Sequence, residues 1–231
     1  MAMSERRFLF LVASARREGN TETLARKAAA SLPSDVKRQW IHLDETPLPR
    51  FEDIRHHGGK NNQYPDPEGN ERLLLDETLS ATDIVFVTPL YWYSLPSSAK
   101  LYMDYWSAWL RVPGVDFKKQ MAGKKMWAVC VLADEDPKRA ELLLTTLRHS
   151  AEYMGMEWGG ELIGNGSKPG DVLNDTRAME AAEHFFVSSS VPAGTRFIVG
   201  SSQFRKLLLR SLCGSLLKSG STLSANSTVR A

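Results

Sequence analysis

FLFLVASARREGNTE, residues Phe8–Glu22, opens with six apolar residues, passes through a short polar loop, and ends at Asn20-Thr21, where a helix-forming run begins. An apolar run of this length followed by a helix start predicts a buried strand, a loop and a helix N-terminus. The first N–H groups of a helix have no internal partners, and the positive end of its dipole lies on the same side. A strand feeding such a terminus is therefore an anion-binding geometry. Ser14, Asn20 and Thr21 each supply a side-chain donor, and Arg16 supplies a planar cationic fork. Together they predict a phosphate cradle; the alternative on these residues alone is an ordinary capped helix after a strand.

The rest of the chain repeats the same alternation. Thr21–Leu32 predicts a helix ending before Pro33, and Gln39–Leu43 a second strand. Asp44 to Asn70 is a long polar connection rich in proline, a length compact domains keep for a lid or a partner contact. It contains His56-His57, which reads as a solvated pair, because no carboxylate or cysteine stands at ligand spacing. Glu71–Ala81 predicts a helix. Asp83–Thr88 has the near-continuous apolar run of a strand covered on both faces. Pro89-Leu90-Tyr91-Trp92-Tyr93-Ser94 follows, and Pro96 opens a helix to about Leu110. Lys124–Leu132 predicts a fourth strand, Asp136-Pro137 leads a helix through Tyr153, Glu157–Ile163 predicts a fifth strand, and Asp171–Val187 a last helix. Gly164 to Gly170 reads as a loop.

Five alternating strands and helices predict an α/β fold of three layers, a parallel sheet with helices on both faces. Right-handed crossovers leave 2-1-3-4-5 as the common strand order, with a ligand crevice where strands 1 and 3 diverge. The loops after those two strands would meet there. No G-x-x-x-x-G-K-[ST] and no G-x-G-x-x-G after the first strand is present, which disfavours a nucleotide triphosphatase and a dinucleotide Rossmann site.

With 42% hydrophobic and 24% charged residues, the composition is that of a globular protein. No apolar run approaches the roughly 20 residues of a membrane span, and the N-terminal apolar run is too short for a signal-peptide core. Cys130 and Cys213 suggest neither a disulfide framework nor a metal site. A reducing cytoplasm is the expected setting, with no integral membrane segment and no nucleic-acid partner. The net charge of +2 is uneven: six basic residues and no acidic ones lie beyond Val187, leaving 23 basic against 27 acidic residues before it. We therefore expect a domain over residues 1–187 and a basic Ser/Leu-rich extension over 188–231. Within the extension, Phe204–Lys218 suggests a short amphipathic helix or a disordered appendage.

SARREGNT after the first strand and TPLYWYSLPSSAKLYMD after the third resemble the flavodoxin-like NAD(P)H-dependent FMN reductase and quinone reductase superfamily. The second is the more specific, through Pro89, Tyr91, Trp92, Lys100 and Asp104. The resemblance covers about residues 7–187. It implies FMN, its phosphate on Ser14, Arg16, Asn20 and Thr21, and its isoalloxazine along Pro89, Leu90, Tyr91, Trp92, Tyr93 and Ser94. A third contact is implied near Ala133–Asp136, where the acidic Asp134-Glu135-Asp136 departs from the Gly-rich turn of many relatives. NADPH or NADH would be the electron donor, and a quinone, an azo or nitro compound, a metal oxyanion or free flavin the acceptor. No residue is needed as a nucleophile, and Tyr91 or Tyr93 is a candidate proton donor. The resemblance also implies a homodimer or a higher oligomer. It implies no iron–sulfur cluster, since Asp44–Asn70 holds no cysteine. Trp106 and Trp109 read as core or subunit contacts. The rival function is a flavodoxin-type electron carrier, for which the body lacks a strongly acidic face; a third is a protein of the same fold that has lost its flavin.

Overall fold

Five parallel strands form the centre of the molecule in a computed structural model that describes residues 5–55 and 62–187. They are β1 (Arg7–Val12), β2 (Lys37–His42), β3 (Asp83–Pro89), β4 (Lys125–Leu132) and β5 (Glu157–Asn165), in the order β2-β1-β3-β4-β5. Order and class are those the sequence predicts. Consecutive residues of β1, β3 and β4 serve opposite faces, as a period of two requires. Phe8, Phe10, Val85, Val87, Trp127 and Val129 belong to one core. Leu9, Leu11, Ile84, Phe86, Met126 and Ala128 belong to the other.

The first core is covered by α1 (Asn20–Ala29) and α6 (Thr176–Ala182), the second by α2 (Gly69–Ser80), α3 (Ser97–Trp109) and α5 (Glu141–Tyr153). Trp106 and Trp109 lie in the second core, packed edge-on against Tyr102 and Phe117. A five-residue helix, α4 (Phe117–Met121), inserts Phe117 and Met121 there. At the bottom of the sheet Asp83 is buried. Arg6, Thr82 and the Trp127 indole N–H hydrogen-bond it at 2.7–3.2 Å, which satisfies the charge.

Some expected elements end differently. The last helix divides into a 3₁₀ turn (Asp171–Asn174) and α6, because the Asp175 side chain accepts from Ala178 N–H and starts a new helix. The helix before Tyr153 is likewise preceded by a 3₁₀ turn, Pro137–Ala140, capped by Asp136. β5 runs on to Asn165, so Gly164 and Asn165 belong to the sheet.

The described parts of the connection after β2 form a strap across α3. The Tyr105 hydroxyl donates to Pro49 O at 3.1 Å, Phe51 stacks on Tyr64, and Tyr64 donates to Glu52 O while accepting from Ile54 N–H. His56-His57 lie outside the described residues, as do Cys213 and the whole of 188–231. Among the described residues no helix is long and apolar enough to cross a membrane, and no cluster of three or more His, Cys, Asp or Glu could hold a metal.

Candidate functional site

The loops after β1 and β3 leave adjacent strands at the same sheet edge. Val12 pairs with Val87, and Ala13 N–H still donates to Val87 O at 2.9 Å. One strand further on, Pro89 pairs with Val131 and Leu90 N–H donates to Val131 O at 3.1 Å. The segments Ser14–Thr21 and Pro89–Ser94 therefore begin beside one another, with the turn after β4 next in line.

In the first segment, Ser14 Oγ accepts from Arg16 N–H at 3.2 Å, which leaves the Ser14 hydroxyl hydrogen to donate. Gly19 approaches this turn so closely that a Cβ there would stand 3.2 Å from Ser14 Oγ and 3.4 Å from Arg16 O. No side chain caps the start of α1. The first-turn amides thus have neither an intrahelical partner nor a cap, which is the condition for receiving an anion. Thr21 is nearly buried at this terminus, and its hydroxyl has no partner among the described residues. Arg16 Nη1 donates to Ser167 O at 3.0 Å, which occupies one of its five N–H groups.

Asn20 is placed differently from its neighbours. Its amide donates to Lys168 O at 2.8 Å, and its oxygen stands 3.5 Å from Val172 N. The side chain ties the loop after β5 to α1, which leaves Asn20 its backbone N–H at the helix start and the second hydrogen of its amide. That loop is held in turn by Asp171, whose carboxylate accepts from Ser167 and Lys168 N–H and is kept below the usual carboxylate range by those two bonds. Gly166 makes the approach possible, since a Cβ there would lie 2.8 Å from Asn20 Nδ2. Sequence reasoning did not connect this loop to the cradle; its glycines at 164, 166 and 170 were the available signal.

The second segment is a two-residue hairpin. Tyr91 and Ser94 exchange backbone hydrogen bonds at 3.2 and 3.0 Å, and Trp92 and Tyr93 both have positive φ, 50° and 63°. This is the pattern of a type I′ turn, which favours Asn-Gly. Bulky residues there are strained by on the order of 1–2 kcal/mol each. Trp92 is 94% exposed, and Tyr91 and Tyr93 are half-exposed. The N–H groups of Leu90, Tyr91 and Ser94 are used within the protein, and those of Trp92 and Tyr93 are not.

In the turn after β4, two of the three acids serve the backbone. Asp134 accepts from Asp136 N–H and Asp136 from Lys138 N–H, while Asn165 Nδ2 donates to Asp134 O at 2.8 Å. Glu135 makes no such bond. Cys130 lies beneath in β4, fully buried, its thiol pushed up to about 12 by desolvation. A thiol so protonated is no nucleophile at neutral pH. Lys100 and Asp104 form an exposed i, i+4 pair on α3, worth only tenths of a kcal/mol. A concavity of about 760 Å³ between Leu43–Arg50 and the first turns of α3 involves neither segment. The converging loops lie instead outside the carboxyl ends of the strands, where open α/β sheets carry their ligands.

A family model described as the flavodoxin-like fold matches residues 6–185. A Bacillus subtilis (strain 168) protein with the provisional name NAD(P)H-dependent FMN-containing oxidoreductase YwqN is 32% identical over 172 residues. The match covers 74% of this chain and 91% of that one. Among solved structures, the Trp repressor binding protein from Bacillus subtilis is similar with a TM-score of 0.62 and 27% identity, over 79% of this chain and 99% of that one. An FMN-dependent NADH-azoreductase from Bacillus anthracis str. Ames Ancestor, solved in complex with FMN, has a TM-score of 0.54 over 78% and 98% of the two chains. At 14% identity its likeness is one of fold alone. By its strand order and by this match over most of its length, the chain belongs to the flavodoxin-like family.

Proposed function

We propose that the chain is an oxidoreductase that binds FMN between the β1 loop and the aromatic hairpin after β3. It takes reducing equivalents from NADH or NADPH and passes two electrons to a small acceptor such as a quinone, an azo or nitro compound, a metal oxyanion or free flavin. The observation that carries this reading is the pairing of an uncapped helix start with an exposed, strained aromatic hairpin on adjacent strands at one sheet edge. The name of the 32%-identical relative supports the same chemistry.

The residues fit the group. The Ser14 hydroxyl, the free N–H groups of Arg16, the Thr21 hydroxyl and the first amides of α1 suit a phosphate monoester. Pro89–Ser94 offers apolar walls, aromatic faces and two unused N–H groups for a flat ring with a polar edge. When bound, FMN supplies the two-electron chemistry that links nicotinamide to acceptor. The protein's residues bind, orient and keep water away; none is required as a nucleophile. A homodimer would cover the exposed Trp92 ring.

The test is the visible absorption of the purified protein, or of the flavin-free protein titrated with FMN, followed by anaerobic addition of NADH or NADPH. Stoichiometric flavin that is bleached by a nicotinamide is expected. A flavin that neither nucleotide reduces would favour an electron carrier, and failure to take up FMN would overturn the reading.

A further inference from the structure

The loop after β5 reaches the cradle through two consecutive carbonyls. Ser167 O accepts from Arg16 Nη1 at 3.0 Å, and Lys168 O accepts from Asn20 Nδ2 at 2.8 Å. The guanidinium and the first residue of α1 are thereby held close together. The loop lies tight against α1: a Cβ on Gly166 would stand 2.8 Å from Asn20 Nδ2, and one on Gly164 2.8 Å from Leu24 Cδ2. At its start the loop is fixed to the sheet, with Gly166 N–H donating to Leu132 O at 3.0 Å, and at its end by the fully buried Val172.

Between those anchors Ser167, Lys168 and Pro169 are exposed and bury no side chain that could fix their carbonyls. Asp171 fixes them instead. Its Oδ2 accepts from Ser167 N–H at 3.1 Å and from Lys168 N–H at 2.7 Å, while its own N–H donates to Lys168 O at 3.1 Å. The Lys168 N–H and the Ser167 carbonyl belong to one planar peptide unit and point in opposite directions. The carboxylate that grips the N–H therefore aims the carbonyl at Arg16. An arginine free to sample its rotamers loses that freedom when it binds an anion, whereas one already tethered loses less and binds more tightly.

We propose that Asp171 is a positioning residue for the phosphate: by aiming Ser167 O at Arg16 it holds the guanidinium at the start of α1. Its effect passes through Arg16 and needs no contact of its own with the ligand. The anion is FMN on the oxidoreductase reading, on which this assignment rests, while the brace itself asks only for a phosphate.

Fluorescence titration of the flavin-free full chain with FMN, and with riboflavin, which lacks the phosphate, tests it. Asp171→Ala should weaken FMN binding by at least about threefold, within the range of coupling in one hydrogen-bond network, and leave riboflavin affinity unchanged. A general loosening of the fold would not give that split. Asp171→Asn, which keeps an acceptor of the same shape, should recover most of the FMN affinity. In an Arg16→Ala background, Asp171→Ala should cost nothing more. If Asp171→Ala does not fold, Asp171→Glu, which keeps the charge but shifts the acceptor by a methylene, replaces it with the same expected split. Equal losses for FMN and riboflavin, an unchanged FMN affinity, or additive losses in the double variant would overturn the proposal. A protein that takes up neither flavin removes the oxidoreductase reading, and inorganic phosphate then decides. Phosphate that raises the melting temperature of the unmodified protein more than that of Asp171→Ala supports the brace; equal shifts overturn it.

Discussion

Arg16 has one guanidinium N–H on the Ser167 carbonyl and four to offer elsewhere, so it can brace the β5 loop and hold an anion together. Asn20 spends most of its side chain on the same loop, one amide N–H on Lys168 O and its oxygen near Val172 N–H, which leaves the second amide N–H and the backbone N–H. The two substitutions should therefore separate. Arg16→Ala is expected to weaken FMN binding by about 1.5–3 kcal/mol, the range for hydrogen bonds to charged groups. Asn20→Ala should lower the melting temperature, with a much smaller effect on FMN. Quenching of flavin fluorescence during titration measures both affinities, and an unchanged Kd for Arg16→Ala would remove it from the phosphate set. The donor types at Ser14, Arg16 and Thr21 were legible because a strand, a loop and a helix start lie within 15 residues. The hold of Asn20 on a carbonyl 148 positions away was not, since no local spacing records a contact made only when β5 closes the sheet.

The hairpin after β3 sets stability against use at the scale of an element. Trp92 and Tyr93 occupy two consecutive left-handed positions, and the Trp92 ring packs on nothing in the described chain. Replacing the pair by the residues a type I′ turn favours, Trp92→Asn with Tyr93→Gly, should raise the unfolding free energy from urea melts by roughly 1–2 kcal/mol. The same double variant should lose affinity for FMN, because the aromatic cover is gone; unchanged affinity would assign the rings to something other than the flavin. The strands were readable as apolar runs, and β3 most of all, with six of its seven residues buried. Helix ends were less so. Asp175 starts a new helix inside what hydrophobic pattern alone merges into one, the 3₁₀ turn Pro137–Ala140 passes into α5 at Ala140 with no side-chain cap to mark the change, and the five residues of α4 are too few to show a helical period. The positive φ values at Trp92 and Tyr93 were beyond reach, because propensity argues against them.

At the scale of the whole molecule, the question is where the folded body can end. The family match stops at residue 185 and the composition changes after Val187, yet packing draws the line more sharply than either. Phe186 is fully buried beyond the end of α6, edge-on to Phe8 at 5.1 Å, to Phe10 at 5.7 Å and to Trp127 at 5.3 Å. Phe185 adds a second contact to Trp127. These rings cover β1 and β4 where α1 and α6 leave off, so they belong to the core and not to a linker. We expect a chain ending at Val187 to keep the stability and FMN affinity of the full protein. A chain ending at His184 removes only three more residues. It should nonetheless lose about 3–5 kcal/mol, the scale of deleting one large buried aromatic, and its β1–β4 face would be left to solvent. Paired urea melts of the two truncations decide the matter. Loss of flavin or of stability in the longer one would move residues 188–231 from appendage to part of the fold, whereas equal stability of both would mean that Phe186 holds nothing together.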